Sequence, residues 1–402
     1  MRMAYPSSRV ERIPRSGIRE IFDMARGIPD LVHLELGEPD FRMPDHITQA
    51  AIQALREGFT KYTPNAGDEE LRQAISEKLK CENNIDAEPN GEIMVTAGAM
   101  EALSLSIMAT VDEKDEVVVP DPGYVSYIAQ VLLAGGIPVF VPVSEDNDFR
   151  LRADDLQKVV TKRTRLIIIN SPSNPTGAVL PKEELREIAD LASDRDLLIL
   201  SDEPYERLVY PGSLHHSIAA LPRMLEHTIS VFSFSKTYAM TGMRIGYMVS
   251  GKGLIRQMTK MQEHYVACVN SIAQKAALAA LRGPQTCVEN MLKEYAHRRE
   301  ILINGLNKTD VFTCKKPAGT FYAFPNVTKT GQDSRTLARN LLKEARVATV
   351  PGVAFGEQGE GHLRFSFANS VENIKEALRR IEGYCSNTFL GATNPVSSLE
   401  SA

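Results

Sequence analysis

Short runs of Val, Ile and Leu alternate along this chain with longer segments whose apolar residues recur at helical spacing, and that alternation restricts the fold more than any other feature. Seven such runs read as strands: Ile93 to Thr96, Glu116 to Pro120, Ile137 to Val143, Leu166 to Asn170, Leu197 to Ser201, Thr228 to Phe234 and Ile245 to Val249. Their runs of Val, Ile and Leu suit a central, mostly parallel sheet covered on both faces. Between them, Ala99 to Thr110 and Glu183 to Asp194 carry a helical pattern, with Pro181 near the start of the second. Strands and helices in this order specify an α/β fold. With 402 residues, 43% of them hydrophobic, the chain can build a sizeable core and more than one domain.

After about Gly283 the texture changes. A long charged helix, Val288 to Asn307, leads into brief apolar runs at Phe321 to Phe324, Ala345 to Val350 and His362 to Ala368, followed by a helical pattern from Asn373 to Tyr384. These predict a smaller α+β domain at residues 286–385, beside a large ligand-binding domain at 46–285. Residues 1–45 are expected to complete the small domain and contribute a partner contact, and residues 386–402, polar and small, read as a flexible tail. A net charge of -5 offers no basic footprint for nucleic acid. The five cysteines, Cys81, Cys268, Cys287, Cys314 and Cys385, have no paired or metal-like spacing, which suits reduced thiols in a cytoplasmic protein. The first residues lack an apolar leader core, and no run approaches the roughly eighteen apolar residues of a membrane span.

Chemistry is expected in the loops that follow the strands, because open α/β sheets bind ligands beyond the carboxyl ends of their strands. Ala97-Gly98-Ala99-Met100 opens a helix with small residues and free amides, an arrangement suited to phosphate as well as to a plain tight turn. Ser171-Pro172-Ser173-Asn174-Pro175-Thr176-Gly177 is a rigid turn that presents one amide side chain. Ser201-Asp202-Glu203-Pro204-Tyr205 delivers an acid from an apolar strand, a costly placement without a partner and therefore a functional signal. Ser233-Phe234-Ser235-Lys236 places an amine after an apolar run, with Arg244 nearby in sequence. Buried amines titrate low and become nucleophiles. An amine, an acid for a ring nitrogen and a cation for a phosphate are what pyridoxal phosphate chemistry needs.

In these segments the chain resembles the class I aminotransferases, which are fold-type I pyridoxal phosphate enzymes, and specifically the aspartate/aromatic branch called subgroup I-gamma. The likeness runs from about Arg15 to Tyr384 and adds Leu36-Gly37-Glu38-Pro39-Asp40-Phe41, Tyr62-Thr63, Asp121-Pro122-Gly123-Tyr124, Thr241 to Tyr247 and Arg364-Phe365-Ser366 in family order. It implies a large domain with a seven-stranded sheet and a ping-pong exchange between an L-amino acid and a 2-oxo acid such as 2-oxoglutarate. It implies that Lys236 binds pyridoxal 5′-phosphate and serves as the base at Cα, that Asp202 keeps the ring nitrogen protonated, and that Tyr205 and Asn174 bond the ring oxygen. Tyr124 would stack on the ring. The amides of Gly98, Ala99 and Met100, the hydroxyls of Ser233 and Ser235, and Arg244 would hold the phosphate, with Tyr62 arriving from the other subunit of a homodimer. Arg364, with Asn174 and Gly37, would grip the substrate α-carboxylate.

Each residue also has a structural reading. Arg364 in a strand can pair with an acid, Tyr62 and Tyr124 can be packing aromatics, His215 and His216 read as surface residues, and Glu69, Glu70, Arg72 and Lys78 read as a solvated helix face. Departures from the family pattern bear on substrate choice. Met100 stands where some aspartate-using members have a lysine for the second carboxylate, and Met243 stands where tryptophan is frequent. The donor class stays open among aromatic, aliphatic and aspartate-like amino acids, and Met100 motivates the expectation of an apolar or aromatic donor with 2-oxoglutarate or pyruvate as acceptor. A lyase or cyclising enzyme on the same fold is the alternative, since fold alone does not select among reactions at Cα. A regulator's non-catalytic cofactor domain would need a DNA-binding segment, and an NAD enzyme would need Gly-x-Gly-x-x-Gly; neither pattern is seen.

Overall fold

The computed structural model describes residues 6–15 and 17–390. Its centre is a sheet of seven strands: β1 (Ile93–Thr96), β2 (Glu116–Asp121), β3 (Ile137–Pro142), β4 (Thr164–Asn170), β5 (Leu198–Asp202), β6 (Thr228–Ser233) and β7 (Gly246–Val249). The order is β1-β7-β6-β5-β4-β2-β3, with β7 antiparallel to both neighbours and every other pair parallel. Alternate side chains enter separate apolar layers. Val117, Val119, Leu166, Ile168, Leu200 and Val231 pack with the helix Ala99–Thr110, while Val118, Ile167, Ile169 and Ile199 pack with Leu185 and Ile188 of the helix Lys182–Asp194.

The doubly covered sheet expected from composition holds except at β3. That strand is an edge, and Ile137 and Phe140 remain 38% and 43% exposed. Pro138 and Pro142 suit an edge, where a missing amide leaves no neighbour unpaired. Strand β6 also stops one residue before the expected boundary. Phe234 opens the short helix Phe234–Thr237, because the Ser233 hydroxyl accepts the Ser235 amide at 3.1 Å and caps it. Lys236 is thereby lifted off the strand and onto a turn of helix at the sheet's end.

The C-terminal part contains the helices Thr286–Leu306 and Val371–Cys385 and a sheet in which Leu363–Ser366 lies between Val350–Pro351 and Tyr322–Ala323, antiparallel to both. The N-terminal strand Val32–His33 pairs in parallel with Val347–Ala348, so the first part of the chain is built into this C-terminal layer. One apolar cluster includes Phe232, Tyr247, Val288, Leu302 and Phe321 and therefore runs continuously from the large sheet into the C-terminal part. Ser386–Leu390, assigned to a flexible tail from composition, instead continue the last helix, and Phe389 packs edge-on against Tyr384. The rest of that tail, 391–402, lies outside the described residues. Among the described residues no helix is long and apolar enough to cross a membrane.

Two surface readings are also corrected. Arg72 is 8% exposed and bonds the carbonyls of Gly67 and Pro89 and the side chain of Asn90, while Lys78 pairs with Glu206. His215 packs its ring against Glu203, with Nε2 at 2.8 Å from Oε2. These charges face inward because their partners come from distant segments, which helical spacing does not reveal.

Candidate active site

The carboxyl ends of β4, β5 and β6 open into a cavity of about 340 Å³ whose walls include Gly37, Asn174, Asp202, Tyr205, Lys236 and Arg364. Residues far apart in the chain converge there because parallel strands deliver their ends to one edge of the sheet.

Asp202 closes β5 and is 4% exposed. Its Oδ2 accepts a hydrogen bond from Tyr127 Oη at 2.5 Å, whereas Oδ1 is buried without a partner. Burial pushes this carboxyl up to about 7; the Tyr127 hydroxyl opposes the shift and the neighbouring Glu203 charge adds to it. An acid with a raised pKa in the folded state binds its proton more tightly there than in the unfolded chain. The ligand-free protein should therefore lose stability as pH rises from about 3.8 to about 7, and Asp202→Asn should flatten that slope. Urea denaturation across this range measures it; parallel profiles for the two proteins would refute the assignment.

Lys236 as a whole is half-buried, but its amine is enclosed and donates to the Gly37 carbonyl at 2.6 Å. Burial pulls it down to about 8, Glu38 counteracts that, and the Arg364 and Arg244 charges reinforce it. Among the described residues no carboxylate forms an ion pair with this amine. A fraction of it is thus unprotonated near neutral pH, as a nucleophile and base requires.

Arg364 is 1% exposed and also has no acid partner among the described residues. Nη1 donates to Asn174 Oδ1 at 3.1 Å, Nη2 to the Glu35 carbonyl at 2.6 Å, and Nε is buried without an acceptor. Its guanidinium lies 4.3 Å from the Tyr322 ring centre and 5.0 Å from that of Phe355. A buried cation held only by neutral groups is costly unless an anion arrives. Gly37 is close by, since a Cβ there would meet Tyr322 Oη at 2.7 Å and Arg364 Nη2 at 3.9 Å.

At the other end of the cavity, Gly98 precedes the helix Ala99–Thr110 with φ +79 and no side-chain cap, so the first amides of that helix are free of side-chain acceptors. A Cβ on Gly98 would stand 2.6 Å from Arg244 Nη2, a contact only glycine permits. Arg244, anchored to the Thr241 carbonyl at 2.8 Å, and the side chains of Ser233 and Ser235 border the same space. Free amides, hydroxyls and a guanidinium form a cradle for a phosphate dianion. Tyr124 and Met100 lie in the wall, with the Tyr124 hydroxyl 3.5 Å from the Met100 sulfur, and Tyr205 bonds Tyr322 between hydroxyls at 3.0 Å.

Of the candidate site residues, Gly98 stands just behind the lining, against Arg244, and Tyr62 is not brought to this cavity by its own chain: it is 89% exposed. Participants not foreseen include Tyr127, Tyr322 and Phe355. Tyr127 lies one turn beyond Tyr124, a spacing that puts both on one side of a helix start. Tyr322 and Phe355 come from two-residue strands and a short turn, too brief to carry a periodic signal.

The profile of the family described as aminotransferase class I and II matches residues 29–381. The chain is 47% identical to an aspartate aminotransferase of Pyrococcus abyssi, over 94% of this chain and 97% of that one. It is 45% identical to aromatic-amino-acid aminotransferase 2 of Thermococcus litoralis, again over 94% and 97% of the two chains. The crystal structure of an aromatic aminotransferase from Pyrococcus horikoshii superposes with a TM-score of 0.88 at 45% identity, covering 92% of this chain and 99% of that one.

Proposed function

The chain belongs to the class I and II aminotransferases and is an aminotransferase, and from that premise we infer that its cavity holds pyridoxal 5′-phosphate and exchanges amino groups between apolar or aromatic L-amino acids and 2-oxo acids. The observation that carries the reading is a buried, unpaired amine at Lys236 in one cavity with an orphaned carboxylate oxygen of Asp202 and an unpaired guanidinium at Arg364. The residues fit that cofactor. Asp202 Oδ1 would accept a ring N–H, and the cradle of Gly98, Ala99, Met100, Ser233, Ser235 and Arg244 would take the phosphate. Tyr205 and Asn174 would donate to the ring oxygen, and Tyr124 would cover the ring face.

When bound, pyridoxal phosphate supplies an aldehyde for the amino group and a cationic ring that accepts electrons released at Cα. The protein's share is proton control and orientation. Lys236 Nζ, kept partly neutral by burial, would take the proton from the donor's Cα in one half of the exchange and deliver a proton to the former carbonyl carbon of the 2-oxo acid in the other. Asp202, with Tyr127 holding Oδ2, keeps a negative oxygen against the ring nitrogen. Arg364 fixes the α-carboxylate by two bonds and so orients Cα–H toward Lys236. Residues 46–285 would hold the cofactor, and residues 286–385 with the N-terminal segment 1–45 the substrate carboxylate.

Substrate choice turns on Met100. The cationic side chains in the cavity wall are Lys236, Arg244 and Arg364, and each has a role already. Ile18, Met100 and Leu103 add apolar wall, and the acid that shares the lining with them, Glu38, would repel a second carboxylate. Among the described residues no further cation lines the cavity to meet a second carboxylate on the donor. The relatives carry both aspartate and aromatic names, so kinship does not decide the matter. Met100→Lys is expected to raise kcat/KM for aspartate relative to phenylalanine by about tenfold or more, the worth of one charge-assisted contact. The primary test is an absorption spectrum of the purified protein during additions of single amino acids and then of 2-oxo acids. Donors should shift the cofactor band and acceptors restore it. Wild-type protein that turns over aspartate far faster than any aromatic or aliphatic donor would rule out the proposed preference, and ammonia release without an acceptor would mark a lyase.

A homodimer with shared sites is part of the proposal. Tyr62 is one of several large apolar side chains left exposed, with Leu55, Phe59, Tyr265 and Val266, and a partner subunit would cover such residues. Light scattering should give a dimer, and Tyr62→Phe should weaken cofactor retention by removing a phosphate contact. A monomer at assay concentration would eliminate that role for Tyr62.

A further inference from the structure

Strand β2 ends on Asp121, which is 5% exposed and whose carboxylate leaves the sheet to meet the C-terminal part of the chain. Oδ1 accepts the Gln358 amide at 3.1 Å, and the Glu357 amide also donates to this carboxyl. Two residues on, the Gly123 amide donates to the Phe355 carbonyl at 2.8 Å. The approach is so close that a Cβ on Gly356, whose φ is +131, would lie 2.0 Å from Asp121 Oδ1. A strand end of the large sheet and the turn at residues 355–358 are thus clasped together through charge-assisted and main-chain hydrogen bonds.

Each side of the clasp leads to the active site. Asp121 is followed through Pro122 and Gly123 by Tyr124 in the cavity wall. On the opposite side, the Phe355 ring lies 5.0 Å from the Arg364 guanidinium and forms a small apolar cluster with Phe324 and Val350, bordered by Ile18 and Val125. With no acid paired to it among the described residues, Arg364 takes its position from Asn174, the Glu35 carbonyl and the Tyr322 and Phe355 rings. A shift of the turn at 355–358 is therefore transmitted to the guanidinium through Phe355. A neutral side chain would suffice to anchor a turn, whereas a buried carboxylate bonded to amides holds it more tightly at the cost of desolvation.

We infer that Asp121 is a positioning residue for transamination, tying the loop that bears Tyr124 to the turn that bears Phe355 and so setting the span between the cofactor ring and the guanidinium that grips the substrate carboxylate. The inference rests on the roles proposed for Tyr124 and Arg364. Burial pushes the Asp121 carboxyl up to about 6, so an assay at pH 8 finds it ionised and able to accept both amides.

The test compares the wild-type holoenzyme with Asp121→Asn, which removes the charge and one acceptor, and with Gly356→Ala, which forces the turn away from the other side. In both variants KM for donor and for 2-oxo acid should rise about tenfold, while kcat stays within about twofold and the cofactor band keeps its position and stoichiometry. A lowered melting temperature with unchanged KM values would reduce Asp121 to a structural anchor and overturn the inference. So would a fall in kcat at constant KM. If Asp121→Asn does not fold, Gly356→Ala decides alone. Arg364→Gln measured alongside separates the premise from the inference: unchanged KM values in that variant would remove the assigned role of Arg364 itself.

Discussion

Lys236→Ala will lower the rate of amino-group exchange by at least about 10⁴-fold, because one nitrogen is asked to act as both nucleophile and general base. The surroundings of this amine are built for that double task. It is enclosed, among the described residues it hydrogen-bonds only the Gly37 carbonyl, and burial brings it down to about 8 from its usual 10.5. Lys236→Arg should be equally inactive, since a guanidinium stays protonated and cannot take a proton from Cα. Added methylamine should restore part of the Lys236→Ala activity, as a small base can enter the space the side chain leaves. Folding is expected to survive, because removing a desolvated amine relieves a cost. The linkage sign gives a separate check on the ligand-free protein. Between about pH 8 and 10.5 the unfolded chain holds a proton that the folded state has released, so stability from this group rises with pH in that window, and the alanine variant lacks the rise. Activity within about tenfold of wild type would remove Lys236 from the chemistry.

How far the sequence discloses this site follows from where each residue stands. Asp202 is legible because the largely apolar β5 runs directly into it, and Lys236 because it follows the end of the buried β6 by three residues; a charge in either place has few structural explanations. The proposed phosphate cradle is legible from Gly98, since a glycine between a strand and a helix signals a close approach, here to Arg244. Local pattern fails where the partner is remote. Arg72 and Lys78 look solvated on a helix spaced every few residues, yet they are satisfied by Pro89 and Glu206. His215 meets Glu203 in the same way, across a loop. Tyr322 and Phe355 carry no periodic signal because the strand holding one spans two residues and the other lies in a single short turn. The Ser233 cap illustrates a further limit: β-propensity favours extending the strand through Phe234, and a single hydroxyl-to-amide bond is enough to start a helix there instead. Burial of one face only, as at β3, is likewise set by sheet order and is invisible in the strand itself.

Arg364→Gln will reduce kcat/KM for every α-amino acid donor by about 10³-fold, and Arg364→Lys by about 10²-fold, while leaving the cofactor band unchanged. The size of the effect comes from what surrounds the guanidinium. It is 1% exposed, sandwiched by Tyr322 and Phe355, and bonded to a side-chain amide and a main-chain carbonyl, with Nε left without an acceptor. Water cannot easily substitute for a missing anion in such a place, so the attraction between this cation and a substrate carboxylate is little screened. Lysine keeps the charge but not the planar fork, which is why it should recover only part of the loss. The decisive control is an amine without a carboxylate, such as phenethylamine. Its slow reaction should be the same in wild type and both variants, because it never uses Arg364. If phenethylamine lost as much as phenylalanine, the variants would be disturbing the cavity at large. If phenylalanine lost nothing, the α-carboxylate would have to be held elsewhere, and the orientation of Cα–H toward Lys236 would need another source. The expected pattern, a large loss confined to carboxylate-bearing donors, ties the catalytic amine to the buried arginine through the substrate that bridges them.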